Sequence, residues 1–274
     1  MIPVILKLSI ITINYNNTKG LLKTIESVIQ QTSKDFEFII IDGGSFDGSV
    51  GVIKKYQHSI THWVSEPDNG IYHAMNKGIK LAKGEYCQFL NSGDCLLKED
   101  VTEKMLKNIP DTSIIIGNML KVLPRGKIIT DRGLGNEKPT FLTFYKGTIN
   151  HSPAYIRRNL FDKYGYYDES LKIVSDWKWY LNVVGINNEK IVYRNIDVAL
   201  FDMNGISNSN INLLKLEREK VLIDKVPHTI LEDYKFFANN EQIIKTFRKN
   251  SLVWFLVYGL YRIINKINQF YNAI

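Results

Sequence analysis

Cysteine is scarce in this chain of 274 residues: Cys87 and Cys95 are the two present, and neither sits in a CxxC pair. Two thiols in a chain of this size do not make a disulfide framework, so a reducing cytoplasm is the expected compartment. Long apolar runs are missing too. The run from Leu252 to Tyr261 has ten residues, about half of the ~20 needed to span a bilayer. The apolar start, MIPVILKLSIITINYN, lacks a basic leader and a small-residue cleavage site, so its Val, Ile and Thr content reads as a buried strand. There is no internal repeat and no low-complexity linker. The fingerprint GxGxxG is absent as well: the glycines of DGGSFDGS fall at 43, 44 and 48, which weighs against a dinucleotide-binding Rossmann unit.

What is present is an ordinary globular composition, 45% hydrophobic and 23% charged. It is enough for one large domain or a domain with an appendage. The formal net charge of +7 favours anionic partners such as nucleotides, phosphorylated lipids or acidic membranes without choosing among them. Nucleic acid is not among the expected partners.

Periodicity gives the first half its order. LSIITIN (8–14) is a β-branched run opening into a polar loop, and Leu21, Leu22, Ile25, Val28 and Ile29 predict a helix over 18–31. A strand from Phe36 to Ile41 ends at Asp42, and a helix carrying Val50, Ile53 and Tyr56 follows. A short strand near Thr61–Val64, a helix over 71–82 and a strand over 86–90 complete a parallel α/β unit of about 95 residues. Ligands bind beyond the carboxyl ends of such strands. Asn14, Asp42, the loop Glu66–Asn69 and Asp94 all fall there. Later segments are less regular: strands are expected at SIIIGNML and GKIITD around a turn at Pro124-Arg125-Gly126, helices over 157–164 and 175–184, and a strand over 190–201.

Three strings carry chemistry. Asn91-Ser92-Gly93-Asp94 sets a carboxylate just past a buried strand, where it can hold a hard divalent cation against a diphosphate. The same residues also suit a plain turn. Asp42 and the glycines after it can accept from a base or ribose and let backbone approach a ligand; a tight strand-to-helix turn explains them equally well. Ser175-Asp176-Trp177 offers a carboxylate as proton acceptor, or alternatively a helix N-cap.

Taken together, TINYN, IIIDGGSFDGS, EPDNGIYHAMNKGI, GEYCQFLNSGD, NHSPAYIRR and SDW, in that order over about residues 6–210, resemble family 2 glycosyltransferases of the GT-A fold. The likeness is to bacterial members that build capsule, O-antigen or exopolysaccharide units. It implies an α/β, mostly parallel central sheet flanked by helices, with a nucleotide-sugar half (about 1–95), an acceptor half (about 96–210) and a helical tail (211–274). By the same resemblance Thr12, Asn14 and Asn16 line the nucleotide pocket, Asp42 meets the base, Ser45, Asn91 and Gly93 belong to the nucleotide and donor site, and Asp68 and Asn76 border the donor. Asp94 matches the last acid of the DxD-type motif and would hold Mg²⁺ or Mn²⁺. Asn91 and Gly93 stand where acids are usual, so diphosphate oxygens and waters must complete the metal shell. His151 matches a motif near the donor sugar, although a structural role fits a lone histidine as well. Asp176 matches the catalytic base of an inverting transfer, and Trp177 is an acceptor wall or a core residue. Arg157 and Arg158 are phosphate contacts or exposed helix-start arginines, and Cys95 packs.

The implied reaction moves a sugar from a nucleotide diphosphate donor, UDP-linked by family frequency, to a glycan or polyprenyl-diphosphate-linked acceptor. The processive signature QxxRW is absent, which favours single additions. Two rivals remain: a non-catalytic sugar-nucleotide binding protein, favoured by the thinned metal motif, and a sugar nucleotidyltransferase. TINYNN lacks the glycine-rich loop with a basic residue that the latter shows after strand one. In the tail, residues 241–274 carry Lys245, Arg248, Lys249, Arg262 and Lys266 against the single acid Glu241. Basic flanks with Trp254, Phe255, Tyr258 and Tyr261 suit a helix lying in the interface at the inner face of the cell membrane; packing on the catalytic domain or on a partner chain is the alternative.

Overall fold

The computed structural model describes residues 6–123, 126–201 and 210–271; the turn expected at Pro124 and Arg125 lies outside them. The first half is β1 (Leu8–Asn14), α1 (Thr18–Ile29), β2 (Phe36–Asp42), α2 (Ser49–Tyr56), β3 (His62–Ser65), α3 (Ile71–Leu81) and β4 (Tyr86–Phe89). All seven residues of β1 are buried, as suits a β-branched, largely apolar strand covered on both faces. It pairs in parallel with β2 and β4, and β2 with β3. The register sets Asn14 opposite Asp42 and Asp42 opposite Ser65. Three polar strand ends therefore meet along one sheet edge. On α3, a Cβ added at Gly78 would lie 2.4 Å from Ile11 Cγ2, so the helix seats on β1 more closely than any side chain there permits.

The second half adds β5 (Cys95–Leu96), α4 (Val101–Leu106), β6 (Ile114–Val122), β7 (Ile128–Asp131), α5 (Phe141–Lys146), β8 (Ala154–Arg157), α6 (Asn159–Tyr164), α7 (Ser175–Tyr180) and β9 (Ile191–Phe201). Among the described residues the strands form one mixed sheet in the order β3-β2-β1-β4-β8-β6-β9-β5, with β7 on β6. The β4–β8, β6–β8, β5–β9 and β6–β7 pairings are antiparallel. The parallel character expected of the sheet thus holds in the first half and at β6–β9. Two helix expectations shift: Arg157 ends a strand and α6 begins at Asn159, and α7 passes into a π-helical turn at Leu181–Ile186.

The chain divides into two compact units, Met1–Val221 and Leu222–Ile274. Helix α8 (Ile211–Lys225) runs across that division; α9 (His228–Lys249) and α10 (Ser251–Tyr271) belong to the second unit. No described helix is long and apolar enough to cross a membrane.

Candidate active site

At the carboxyl ends of β1 and β2 the polar residues form a closed network. Asp42 is fully buried and accepts from Asn14 Nδ2 (2.7 Å), Ser45 N (2.9 Å), Ser45 Oγ (2.6 Å) and Ser65 Oγ (2.6 Å). Burial pushes its carboxyl up, but these four donors outweigh it and hold the group below the usual carboxylate range. Asn16, in the left-handed region at φ 48°, donates its N–H to Ser45 Oγ (2.8 Å) and accepts from Phe46 N (3.0 Å). Gly43 is bare where a Cβ would meet Asp68 Oδ2 at 2.6 Å and the Tyr15 ring at 3.3 Å. Asn14, Asn16, Asp42, Ser45 and Asp68 therefore converge. Asp42, with its oxygens saturated, orders these strand ends through the two serines and does not face solvent itself.

Thr12 and Asn76 do not join this network. Thr12 is buried and donates to Leu90 O (2.7 Å), tying β1 to the chain after β4. Asn76 donates to Tyr167 O and Glu169 Oε1 (2.8 Å each) and accepts from Tyr167 N (3.0 Å). Its amide is spent on fastening α3 to the loop before α7. Arg157 is likewise committed, to Asp111 (2.7 Å), Glu85 (3.4 Å) and the Tyr86 ring.

The NSGD loop is held by α1. Thr24 Oγ1 accepts from Gly93 N (3.0 Å) and donates to Asp94 O (2.6 Å), and Asn17 Nδ2 donates to Ser92 O (3.0 Å). Gly93 has φ 106°, a backbone shape that an acid in its place would strain. The loop edges a cavity of about 540 Å³ that Asn91, Asp94, His151 and Asp176 all line. Asp94 Oδ2 accepts from Ser152 Oγ (2.6 Å). Next along the chain, His151 Nδ1 lies 3.3 Å from Asp176 Oδ2, and its Nε2 lies 3.2 Å from Asn91 Nδ2. A neutral imidazole protonated on Nδ1 satisfies both contacts, donating to Asp176 and accepting from Asn91. His151-Ser152 thus spans the gap between the two carboxylates.

Asp176 points into this cavity, and the N-cap position of α7 is Val174. Tyr72 OH lies 2.9 Å from its Oδ1 and 2.6 Å from Ile173 O. Burial raises the Asp176 carboxyl, but the bond and charge of His151 and the Tyr72 hydroxyl outweigh it and hold it below its ordinary value. On His151 burial works against the proton, and the bond and charge of Asp176 with the charge of Asp94 overcome that and hold the imidazole above its ordinary value. Asp176 is therefore ionised at neutral pH and can accept a proton. Trp177 is a core residue with an edge on the cavity: it is 2% exposed, donates Nε1–H to Phe144 O (2.8 Å) and lies under the Arg218 guanidinium at 4.9 Å.

Among the described residues no cluster of three or more His, Cys, Asp and Glu could cage a metal ion. The oxygen set nevertheless fits a cation that brings most of its own ligands. Asp94 supplies a carboxylate at the cavity, and Asn91 Oδ1 is buried there with no hydrogen-bond partner, an orphan that a hard cation would satisfy.

Sequence reasoning missed Tyr15, Tyr72 and Ser152, although each sits inside a quoted motif, and Asn17, one residue past TINYN. It also missed Glu217 on α8, which is buried and accepts from Lys172 N (2.7 Å), Ile173 N (2.9 Å) and Val174 N (3.3 Å). No local pattern marks it.

A cleft beyond parallel strand ends, with an ionised carboxylate on one side and hard oxygen ligands on the other, fits a nucleotide-dependent transferase of the α/β class. Residues 9–165 match the family described as glycosyl transferase family 2, more than half of the chain, and the chain belongs to that family. It is 28% identical over 221 residues to a PGL/p-HBAD biosynthesis glycosyltransferase of Mycobacterium bovis, covering 77% of this chain and 82% of that one. It is 24% identical to an uncharacterised glycosyltransferase of Rickettsia typhi, covering 88% and 82%. S. aureus TarS 1–349 with UDP-GlcNAc superposes with a TM-score of 0.64 at 18% identity, over 83% of this chain and 70% of that one. TarS 1–349 with UDP gives 0.60 at 20%, and here the match spans 71% of this chain but only 60% of TarS 1–349. A Pyrobaculum calidifontis mannosyltransferase with GDP-Man and Mn²⁺ gives 0.57 at 13%, over 74% and 58%. At these identities the structures establish the GT-A type of fold and nothing finer.

Proposed function

We propose that this glycosyltransferase moves one sugar, with inversion, from a UDP-linked donor to a glycan or polyprenyl-diphosphate-linked acceptor in surface polysaccharide synthesis. The single observation that carries this reading is the placement of Asp94 and Asp176, 82 residues apart in sequence, on one cavity. UDP is favoured because TarS, a structural neighbour, was solved with UDP and with UDP-GlcNAc.

Asp94 and Asn91 would hold Mg²⁺ or Mn²⁺ against the donor phosphates, and that ion, when bound, neutralises charge on the departing diphosphate. Asp176 takes the proton of the acceptor hydroxyl as its oxygen bonds to the anomeric carbon and the bond from that carbon to the diphosphate oxygen breaks. Its low pKa keeps it ionised at the cost of weak basicity, which suffices because the hydroxyl becomes acidic only as the new C–O bond forms. His151 and Tyr72 hold its two oxygens, so the base keeps a fixed aim. The basic, aromatic tail would set the protein against the membrane face where a lipid-linked acceptor is presented.

Donor hydrolysis with added Mn²⁺, read as UDP release, tests the assignment. Asp94→Ala and Asp176→Asn should each lower turnover by a factor of about 10²–10⁴, with UDP affinity kept in Asp176→Asn. Undiminished turnover in Asp176→Asn would remove it as the base. UDP binding without turnover in the native protein would favour the non-catalytic reading.

A further inference from the structure

Among the described residues two cations line the cavity outside any ion pair; burial lowers the pKa of the Arg218 guanidinium, and the charge of nearby Asp176 opposes that without closing on it. Arg218, on α8, and Lys172, in the loop entering α7, both line it. Arg218 is half-buried with its guanidinium over the Trp177 ring, and its Nε is buried without a hydrogen-bond partner. Lys172 is exposed. Among the described residues neither side chain takes part in an ion pair. A guanidinium taken out of water is normally matched by a carboxylate, phosphate or carbonyl, and the planar fork of arginine suits a two-oxygen anion.

Position decides which anion. The donor phosphates have their own place, at the oxygen ligands of Asn91 and Asp94. His151 and Ser152 stand between those ligands and Asp176. Arg218 lies over Trp177, the residue that follows Asp176, and Lys172 precedes Asp176 by four positions. Glu217 fixes that loop through three backbone N–H groups, so one helix both clamps the loop and delivers the cation. The cations therefore sit where the acceptor hydroxyl must come.

We propose that Arg218, assisted by Lys172 at the rim, binds an oxyanion carried by the acceptor close to the attacking hydroxyl, a phosphate ester or a carboxylate. This rests on the reading of Asp176 as the base and narrows the acceptor to an anionic class. It also gives α8, outside the segment matched by the family model, a direct part in acceptor choice.

Calorimetric titration of the full chain tests it, with and without saturating UDP and Mn²⁺, using decyl phosphate, glucuronate and the neutral decyl glucoside as probes. The native protein should bind at least one anionic probe more tightly than the glucoside, and the bound probe class names the source of the oxyanion. Arg218→Gln should weaken that binding about 10–100-fold, the worth of a charge-assisted pair, while UDP affinity stays put. Arg218→Lys should fall between, and Lys172→Gln, on an exposed residue, should lose less and give a reading even where Arg218→Gln folds poorly. Equal affinity of native and variant proteins for the anionic probes overturns the proposal. So does a loss confined to UDP, which would assign the guanidinium to the donor. Failure of the native protein to bind UDP would instead undo the nucleotide-sugar reading, and the titrations without UDP would still report on Arg218.

Discussion

At the scale of single residues, the site is built from carboxylates that are supplied with donors before any ligand arrives. Asp42 accepts four hydrogen bonds and Glu217 three. Bonds to a charged acceptor are worth about 1.5–3 kcal/mol each, and a donor stranded by substitution adds its desolvation. Asp42→Asn turns an amide N–H₂ toward groups that donate. It should lower stability by about 2–4 kcal/mol in denaturant unfolding and weaken UDP binding, since Ser45 and Asn16 lose their anchor. Glu217→Gln makes a sharper case. The loop it clamps delivers Asp176, so kcat should fall while the KM for the donor holds, with a stability loss of about 1–3 kcal/mol. A Glu217→Gln enzyme with unaltered kcat would show that the clamp is dispensable for aiming the base.

At the scale of elements, legibility in the sequence followed length and periodicity. β1, α1, β2, α2, β3, α3 and β4 each carry a run or an amphipathic repeat of their own; where bounds were expected they differ from the observed ones by a residue or two, and α2 spans the three residues that marked it. β5 has two residues and α4 and α5 six each, too few to establish a period; β8 is hidden in SPAYIRR because its partners β4 and β6 define it. Asn76 shows the limit of helix patterns: a polar residue on a helix looks the same from sequence whether it faces a ligand or, as here, bonds the backbone of Tyr167. The seat of α3 on β1 yields a direct test. Gly78→Ala brings a methyl to 2.4 Å from Ile11 Cγ2 and should cost about 1–3 kcal/mol. It should cost activity too, because α3 carries Tyr72, the partner of Asp176.

Acid loosens a different set of joints. Burial pushes Asp168 and Glu189 up, but Lys178 and Ser170 on the one, and Lys163, Ser113 and Tyr164 on the other, bring both down to about 2. Folding binds these groups in their ionised form, so their contribution is complete above the ordinary carboxylate range, about pH 4. It is lost as pH falls from there through 2. The thermal midpoint should therefore drop over that window, and Asp168→Asn with Glu189→Gln should flatten the drop. An unchanged profile in the double variant would place the acid sensitivity elsewhere.

At the scale of the whole molecule, the two units divide the labour. The principal core cluster, from Leu8 to Ala199, lies wholly within Met1–Val221, so the catalytic unit does not need the last helix to fold. Helix α10 exposes Trp254, Phe255, Tyr258 and Tyr261 with Leu252, Leu256 and Leu260, an apolar surface rare on a helix meant for water. Each Lys or Arg held near an anionic bilayer contributes about 1 kcal/mol, screened over a Debye length, and the aromatic side chains add burial at the headgroup level. Removing 241–274 should therefore leave UDP affinity intact and shift the thermal midpoint of the catalytic unit by no more than about 2–4 °C. Flotation with vesicles containing anionic lipid should fall to background. Added salt should weaken flotation of the full chain without abolishing it, because the apolar contribution does not respond to screening. If the truncated chain floats as well as the intact one, the tail is not a membrane contact. A change from dimer to monomer in sedimentation would then give α10 to a second copy of the chain.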